Sequence, residues 1–377
     1  MKKVLFFVES LAGGGAEKVL ADIVKNLDHN KYDVTVCTVS DGGIYQAEVE
    51  KYCDYKALLK NADYNAGGIR KVLYWLKMKL IYKMPTSMVY KYYIRDKYDV
   101  EIAFVEGFAT KFISASRNIS SKKIAWIHCD MVKHPYADTY YKNLEEHRDT
   151  YRKFEKIACV SQTVKLAFEE KFFASDNVCV QYNPVDSSEI KKKANEAIDL
   201  VPNSVLQLGT VGRLEQPKGY IRLVKCLGEL HRKGYQFAMW IIGEGSQQAQ
   251  IEECVSEQSL GDVIKLVGFQ RNPYKYLNNC DAFICSSYSE GFSTAATESL
   301  ILEKPVFTVE CSGMNELFGN KKCGEIVPNS DRSMYDMLER LVSGQIKPID
   351  YRATVEKRAK DFGIEKRIKE IEMLLDC

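Results

Sequence analysis

The chain has 377 residues, of which 46% are apolar and 28% charged, and a formal net charge of +2. That length suffices for two compact domains, and so small a net charge excludes bulk nucleic-acid binding as the activity. The charge is uneven: residues 1–185 carry 28 Lys and Arg against 23 Asp and Glu (+5), and the remainder 25 against 28 (−3). A mildly basic first half suits an anionic partner. The twelve cysteines include no C-x-x-C pair, and Cys37, Cys159 and Cys285 sit inside apolar strand-like runs. They read as buried free thiols of a reducing cytosol, not as a disulfide framework or a zinc site. No run reaches the ~20 apolar residues of a membrane span. The apolar start stops at Glu9 and three glycines follow, which fits a buried first strand better than a signal peptide.

Both halves alternate short apolar runs with amphipathic stretches, the pattern of β/α units with parallel strands. In the first half, strands are predicted over residues 3–8, 33–39, 100–105, 123–128 and 156–160. Helices are predicted over 16–27, behind the glycines at 13–15, and over 163–173, after Ser161 as N-cap. Asn183 and Pro184, with the polar, Lys-rich stretch up to Pro202, separate the halves. The second half is predicted to hold strands over 205–211, 236–242, 263–267, 282–285 and 305–308, and helices over 219–233, 247–258 and 294–302. A charged amphipathic helix over 364–375 closes the chain. The expected organisation is a first domain over 1–185, a linker over 186–202, a second domain over 203–360 and a C-terminal helix over 361–377 packing back on the first domain. Both domains read as doubly wound and Rossmann-like, with a ligand cleft at their strand C-terminal ends. That architecture alone names no function.

Several segments carry candidate chemistry. Gly13, Gly14 and Gly15 form a Gly-rich βα turn with Glu17 close behind, but not the G-x-G-x-x-G of a dinucleotide site. Residues 70–97 hold Arg70, Lys71, Lys77, Lys79, Lys83, Lys91, Arg95 and Lys97 against the single acid Asp96, interleaved with Trp75 and several tyrosines and leucines. Such a basic aromatic stretch suits an anionic membrane surface, with Lys71, Trp75, Lys77, Lys79 and Lys83 as its contacts; the bland alternative is a helix pair packed on the sheet with its lysines outward. His128 ends a predicted strand and points toward the cleft, or else bonds a neighbouring loop. Arg213 and Lys218 lie on the loop into the 219–233 helix, where a guanidinium and an ammonium beside a helix start can clamp a diphosphate. The residues from Gly243 to Gly245 read as a structural turn. Finally, Glu290 precedes and Glu298 lies about one turn into the helix that opens behind Gly291 and Ser293. Free N–H groups there favour phosphate, and the two carboxylates can accept hydrogen bonds from sugar hydroxyls. The bland reading of the pair is a surface acid and an acid complementing the helix dipole.

In order and spacing these pieces resemble the family 4 retaining glycosyltransferases of GT-B fold, over most of the chain. The resemblance is carried by the Gly13–Glu17 turn, Trp126 to His128, residues 160–162 and 182–186, Gly212 and Arg213, residues 217–219, 242–245 and 268–269, and the Glu290-x7-Glu298 segment. The wording of residues 291–306 and 311–316 looks like bacterial enzymes of capsular and exopolysaccharide synthesis.

The resemblance implies that Glu298 binds the ribose and Glu290 the donor sugar, and that Arg213 and Lys218 hold the diphosphate with N–H groups around Gly291, Phe292, Ser293 and Thr294. It places Gly14 and Gly15 on the cleft's acceptor side, His128 by the reacting face of the sugar, and Gly268, Phe269 and Asn272 on the base. It further implies transfer of a hexose or N-acetylhexosamine from a UDP-sugar, without metal or other cofactor, to a glycan or polyprenyl-diphosphate-linked acceptor. The expected place is the cytoplasm, peripheral on the inner face of the cell membrane, with no nucleic-acid partner. A nucleotide-sugar epimerase of GT-B fold and a non-catalytic nucleotide-sugar-binding module are the rivals.

Overall fold

The computed structural model describes residues 1–61, 68–200 and 205–376. The end of the expected linker and the start of the expected second domain, at 201–204, lie outside the described residues. The chain divides into two compact units: Met1–Pro184 with Glu365–Cys377, and Val185–Ile364.

The first unit is a seven-stranded, wholly parallel sheet of β1 (Lys2–Val8), β2 (Tyr32–Ser40), β3 (Asp54–Leu59), β4 (Val100–Ala103), β5 (Lys122–Ile127), β6 (Lys156–Cys159) and β7 (Val178–Val180), in the spatial order β3-β2-β1-β4-β5-β6-β7. Central strands covered on both faces need continuous apolar runs, and Val4, Leu5, Phe6, Phe7 and Val8 of β1 are all buried. The Gly15–Asn26 helix covers one face with Val19, Leu20, Ile23 and Val24. The Gln162–Lys171 helix starts where Ser161 Oγ accepts the Val164 N–H at 3.1 Å.

The C-terminal helix, Ile364–Asp376, lies against this unit: Lys2 Nζ reaches Asp376 at 3.0 Å, Lys122 Nζ donates to the Leu374 carbonyl at 2.6 Å, and Ile371 and Leu375 are fully buried.

The second unit has six parallel strands, β8 (Leu206–Val211), β9 (Phe237–Ile242), β10 (Ile264–Gly268), β11 (Ala282–Cys285), β12 (Val306–Val309) and β13 (Gly324–Val327), ordered β10-β9-β8-β11-β12-β13. The stretch expected as a linker needs correction. Ser187–Ala194 is a helix of this unit, capped by Asp186, whose Oδ1 accepts the Glu189 N–H at 3.0 Å, with Ile190 and Ala194 in the core. Its lysines face outward and disguise two anchoring apolar positions.

The strands absent from the sequence reading are β3, β7 and β13, all at sheet edges. Half-exposed edges tolerate polar residues such as Asp54 of β3 and Glu325 of β13, and β7 is only three residues long, so no long apolar run marks any of them. In each sheet the chain reverses direction beside its first strand, between β1 and β4 and between β8 and β11. Such switch points open a crevice at the strand C-terminal ends.

Candidate functional site

In the second unit, two loops meet at the β8/β11 switch. After β8, Gly212 and Arg213 lead to the short 3-10 turn Gln216–Lys218, Gly219 at φ +67°, and the Tyr220–Arg232 helix. After β11, residues 286–293 lead to the Thr294–Ile301 helix.

The loops are laced together. Ser286 Oγ donates to the Lys218 carbonyl at 2.9 Å and the Tyr288 N–H to the Pro217 carbonyl at 2.7 Å. Arg222, 5% exposed, donates Nε–H and Nη2–H to the Ser286 carbonyl at 2.9 and 2.5 Å, and its guanidinium lies 3.9 Å from the Tyr288 ring centroid. Gly219 is required twice over: its φ is left-handed, and a Cβ there would come 2.3 Å from the Ser286 carbonyl oxygen. Replacing Arg222 by Met should leave that buried carbonyl unmet and cost about 2–3 kcal/mol, read by chemical denaturation. A loss under about 0.5 kcal/mol would show that the loop does not depend on it.

This scaffold sets Lys218 against Glu290. The Lys218 ammonium stands 2.7 Å from Glu290 Oε1, and Ser287 Oγ donates to the same oxygen at 2.6 Å. Burial disfavours the ammonium, but the Glu290 carboxylate more than offsets it, so Lys218 holds its proton above the ordinary lysine value. Arg213 is exposed and forms no ion pair among the described residues.

Ser293 caps the next helix, its Oγ accepting the Ala296 N–H at 3.3 Å. The N–H groups of Thr294 and Ala295 have no hydrogen-bond partner among the described residues, so they can receive an anion. Gly291 and Phe292 back this turn, with Gly313 packed so tightly that a Cβ would lie 2.6 Å from the Gly291 carbonyl oxygen. Glu298 is buried one turn on, where its Oε1 accepts from the Tyr274 hydroxyl at 3.0 Å.

At the end of β10, Gly268 (φ +75°) turns the chain and leaves Phe269 exposed. Asn272 is used inside the fold: its Nδ2 donates to the Lys193 carbonyl at 2.8 Å and its Oδ1 accepts the Tyr274 N–H at 3.1 Å. Asn272 thereby steadies the segment carrying the tyrosine that holds Glu298. Sequence reasoning missed Arg222, Ser287 and Tyr274, because nothing local distinguishes a buried loop-bracing residue from a surface one.

In the first unit, the strand ends hold a second group. His128 follows β5; its backbone N–H donates to Glu106 Oε2 at 3.0 Å and its ring packs 5.0 Å from that of Phe104. Burial pulls the imidazole down to about 4, so it is neutral at pH 7, and Nε2 has no partner among the described residues. Gly14 is the buried N-cap of the Gly15–Asn26 helix, and Gly15 is exposed at its first position. Beside them, Glu9 accepts from the Tyr82 hydroxyl at 2.7 Å. Glu9 and Glu106 escaped the sequence reading; an acid placed directly behind a buried strand is the signal that could have found them.

Tyr82 belongs to the Gly68–Lys83 helix, which buries only Tyr74 and Ile81. Ile69, Val72, Leu73, Trp75, Leu76 and Leu80 are exposed among Lys71, Lys77, Lys79 and Lys83. The helix packs against β3 with its lysines outward, and it turns apolar side chains outward with them.

A cavity of about 450 Å³ lined by Lys321, Lys322, Glu325, Arg340 and Tyr351 lies by the start of β13, at the other end of the strands from Glu290. The Arg340–Glu325 ion pair already neutralises part of its lining, and we assign it no role. Among the described residues every cysteine is free, no three His, Cys, Asp or Glu side chains are placed to share a metal ion, and no helix is long and apolar enough to cross a membrane.

Residues 13–189 match the family model described as Glycosyltransferase Family 4, and residues 191–362 the model described as Glycosyl transferases group 1. Among curated proteins, the chain is 26% identical over 371 residues to the N-acetylgalactosamine-N,N'-diacetylbacillosaminyl-diphospho-undecaprenol 4-alpha-N-acetylgalactosaminyltransferase of Campylobacter jejuni, covering 96% of both chains. It is 24% identical to the capsular polysaccharide biosynthesis glycosyltransferase CapM of Staphylococcus aureus, over 48% of this chain and 49% of that one. Among solved structures it is similar to Anabaena Alr3699/HepE in complex with UDP and glucose (TM-score 0.73, 18% identity, all of both chains). It is also similar to sucrose-phosphate synthase from Thermosynechococcus elongatus (TM-score 0.77, 14% identity, 99% and 98% covered). At these identities the structural likeness speaks for the fold: two Rossmann-like units of the GT-B class.

Proposed function

The chain belongs to the family 4 glycosyltransferases, and we propose that it moves a hexose or N-acetylhexosamine from a UDP-sugar to a polyprenyl-diphosphate-linked glycan in surface-polysaccharide synthesis, with retention at the anomeric carbon. The observation that carries the reading is the Lys218–Glu290 pair beside the start of the helix that holds Glu298. A donor diphosphate arriving at the free N–H groups of Thr294 and Ala295 competes with Glu290 for the Lys218 ammonium. Once displaced, the Glu290 carboxylate is available to sugar hydroxyls, while Arg213 adds a second positive charge. Glu298, fixed by Tyr274, takes the ribose hydroxyls, and the exposed Phe269 offers a face to the base. The relative acting on a diphospho-undecaprenol-linked sugar supports the acceptor class, and the relative structure holding UDP and glucose supports the donor class.

In the proposed reaction the bond from the anomeric carbon to the diphosphate oxygen breaks as the bond to the acceptor oxygen forms on the same face. The acceptor's proton passes to the departing diphosphate. Lys218, Arg213 and the helix N-terminus stabilise the charge that develops on that leaving group, so no divalent cation is invoked. The exposed face of the Gly68–Lys83 helix rests on the anionic inner leaflet where such acceptors reside.

A UDP-release screen across donor sugars, with and without polyprenyl-diphosphate-linked acceptors, tests the reading. Acceptor-dependent UDP release with a new glycosidic product is expected. Interconversion of the donor without acceptor would instead reveal an epimerase, and UDP binding with no turnover on any acceptor would reveal a binding module.

A further inference from the structure

The reading above leaves the carboxyl pair at the first unit's switch point without a task. Glu9 follows β1 and Glu106 follows β4, the two strands between which the sheet reverses, which is where open α/β sheets take their ligands. Glu106 is 2% exposed and is fixed by the backbone N–H of His128. Glu9 accepts from Tyr82, and Tyr140 adds a second hydroxyl to it. Burial, with the charges of Glu106 and Glu17 adding, holds the Glu9 carboxyl above its ordinary range in spite of those two hydroxyl donors. Next to the pair, His128 is neutral and its buried Nε2 has no partner among the described residues. Two carboxylates, an unmatched imidazole nitrogen and phenolic hydroxyls form a set that accepts and donates hydrogen bonds to several neighbouring hydroxyls at once, as on a pyranose ring. A purely structural pair of acids has no need of an unpaired nitrogen, which costs free energy when buried.

We propose that Glu9, with Glu106 behind it and Tyr82 beside it, binds and orients the hydroxyls of the acceptor sugar. The inference rests on the glycosyltransferase reading and deepens it. Tyr82 gives the arrangement a further consequence. It joins this cluster to the helix bearing the exposed apolar and lysine side chains. Its ring also lies 4.5 Å from that of Phe108, on the helix that follows Glu106. An acceptor whose lipid lies at that helix therefore has its sugar end led to Glu9 by the same element.

The test uses the full chain and the polyprenyl-diphosphate-linked N-acetylhexosamine selected by the release screen. Glu9→Gln should lower kcat/KM for that acceptor by about 10- to 100-fold, chiefly through KM, with UDP affinity unchanged. Tyr82→Phe, which removes one hydroxyl and nothing else, should give a smaller loss of the same kind with vesicle binding unchanged, and it serves if Glu9→Gln does not fold. Wild-type acceptor kinetics in both variants, or a fall in UDP affinity equal to the fall in acceptor kcat/KM, would overturn the assignment. A wild-type protein that transfers to no acceptor in the screen would instead overturn the function on which it rests.

Discussion

Replacing Glu290 by Gln is expected to lower sugar transfer by at least about 100-fold in kcat while UDP binds as tightly as before or more tightly. The two halves of this expectation come from one contact. Glu290 is held by Lys218 at 2.7 Å and by Ser287 at 2.6 Å. Glutamine keeps the shape and can still accept from Ser287, but it carries no charge to compete with a diphosphate for the Lys218 ammonium. The donor's nucleotide end loses a competitor, and its sugar loses the carboxylate proposed to hold it through the transition state. The converse variant, Lys218→Met, should lose UDP affinity and leave Glu290 half-buried without its cation. Because Glu290 sits on a loop braced by Arg222 and Asn329 rather than in the core, Glu290→Gln and Glu290→Ala should both remain folded. Turnover near the wild-type rate in either variant, by UDP release with product analysis, would remove Glu290 from the reaction.

The second large effect concerns membrane attachment. Each lysine near an anionic bilayer contributes about 1 kcal/mol of attraction. Neutralising Lys71, Lys77, Lys79 and Lys83 to Gln should therefore weaken partition onto vesicles of phosphatidylglycerol and phosphatidylcholine by roughly a thousand-fold. Trp75→Ala should add a loss that does not depend on salt, since the indole is half exposed and its contribution is apolar. The lysine component should shrink as salt rises. Vesicle binding of the fourfold variant equal to that of wild type would refute the membrane role. Within the helix this assignment depends on the apolar residues as much as on the lysines: Val72, Leu76 and Leu80 are exposed among the described residues.

Much of this architecture was legible beforehand because central parallel strands must be apolar throughout. β1, β9 and β11 could be read directly from runs such as residues 237–242, every one of which is buried. Edge strands carry no such constraint, and β3 and β13 went unread for that reason, while β7 is a run of only three residues. The 186–202 stretch misled in the opposite way. A helix anchored only by Ile190 and Ala194 has too few apolar positions to distinguish it from a linker. Among site residues, Glu290, Glu298 and Lys218 stood out because each lies beside a glycine-marked turn at the end of a buried strand. Arg222 did not, since its role is to meet a carbonyl 64 positions away.

The sequence by itself determined the two doubly wound units, the strand ends at which ligands bind, and the family wording around Glu290 and Glu298, because these follow from local apolar patterning and turn chemistry. Only the tertiary structure decided that Lys218 and Glu290, 72 residues apart, form an ion pair. The same is true of Tyr82 reaching Glu9 across 73 residues, and of the Gly68–Lys83 helix turning leucines outward with its lysines. Strand order sets these pairings: β8 lies beside β11, and β1 beside β4, only once the sheet has assembled, and no periodicity along the chain records which loop will face which.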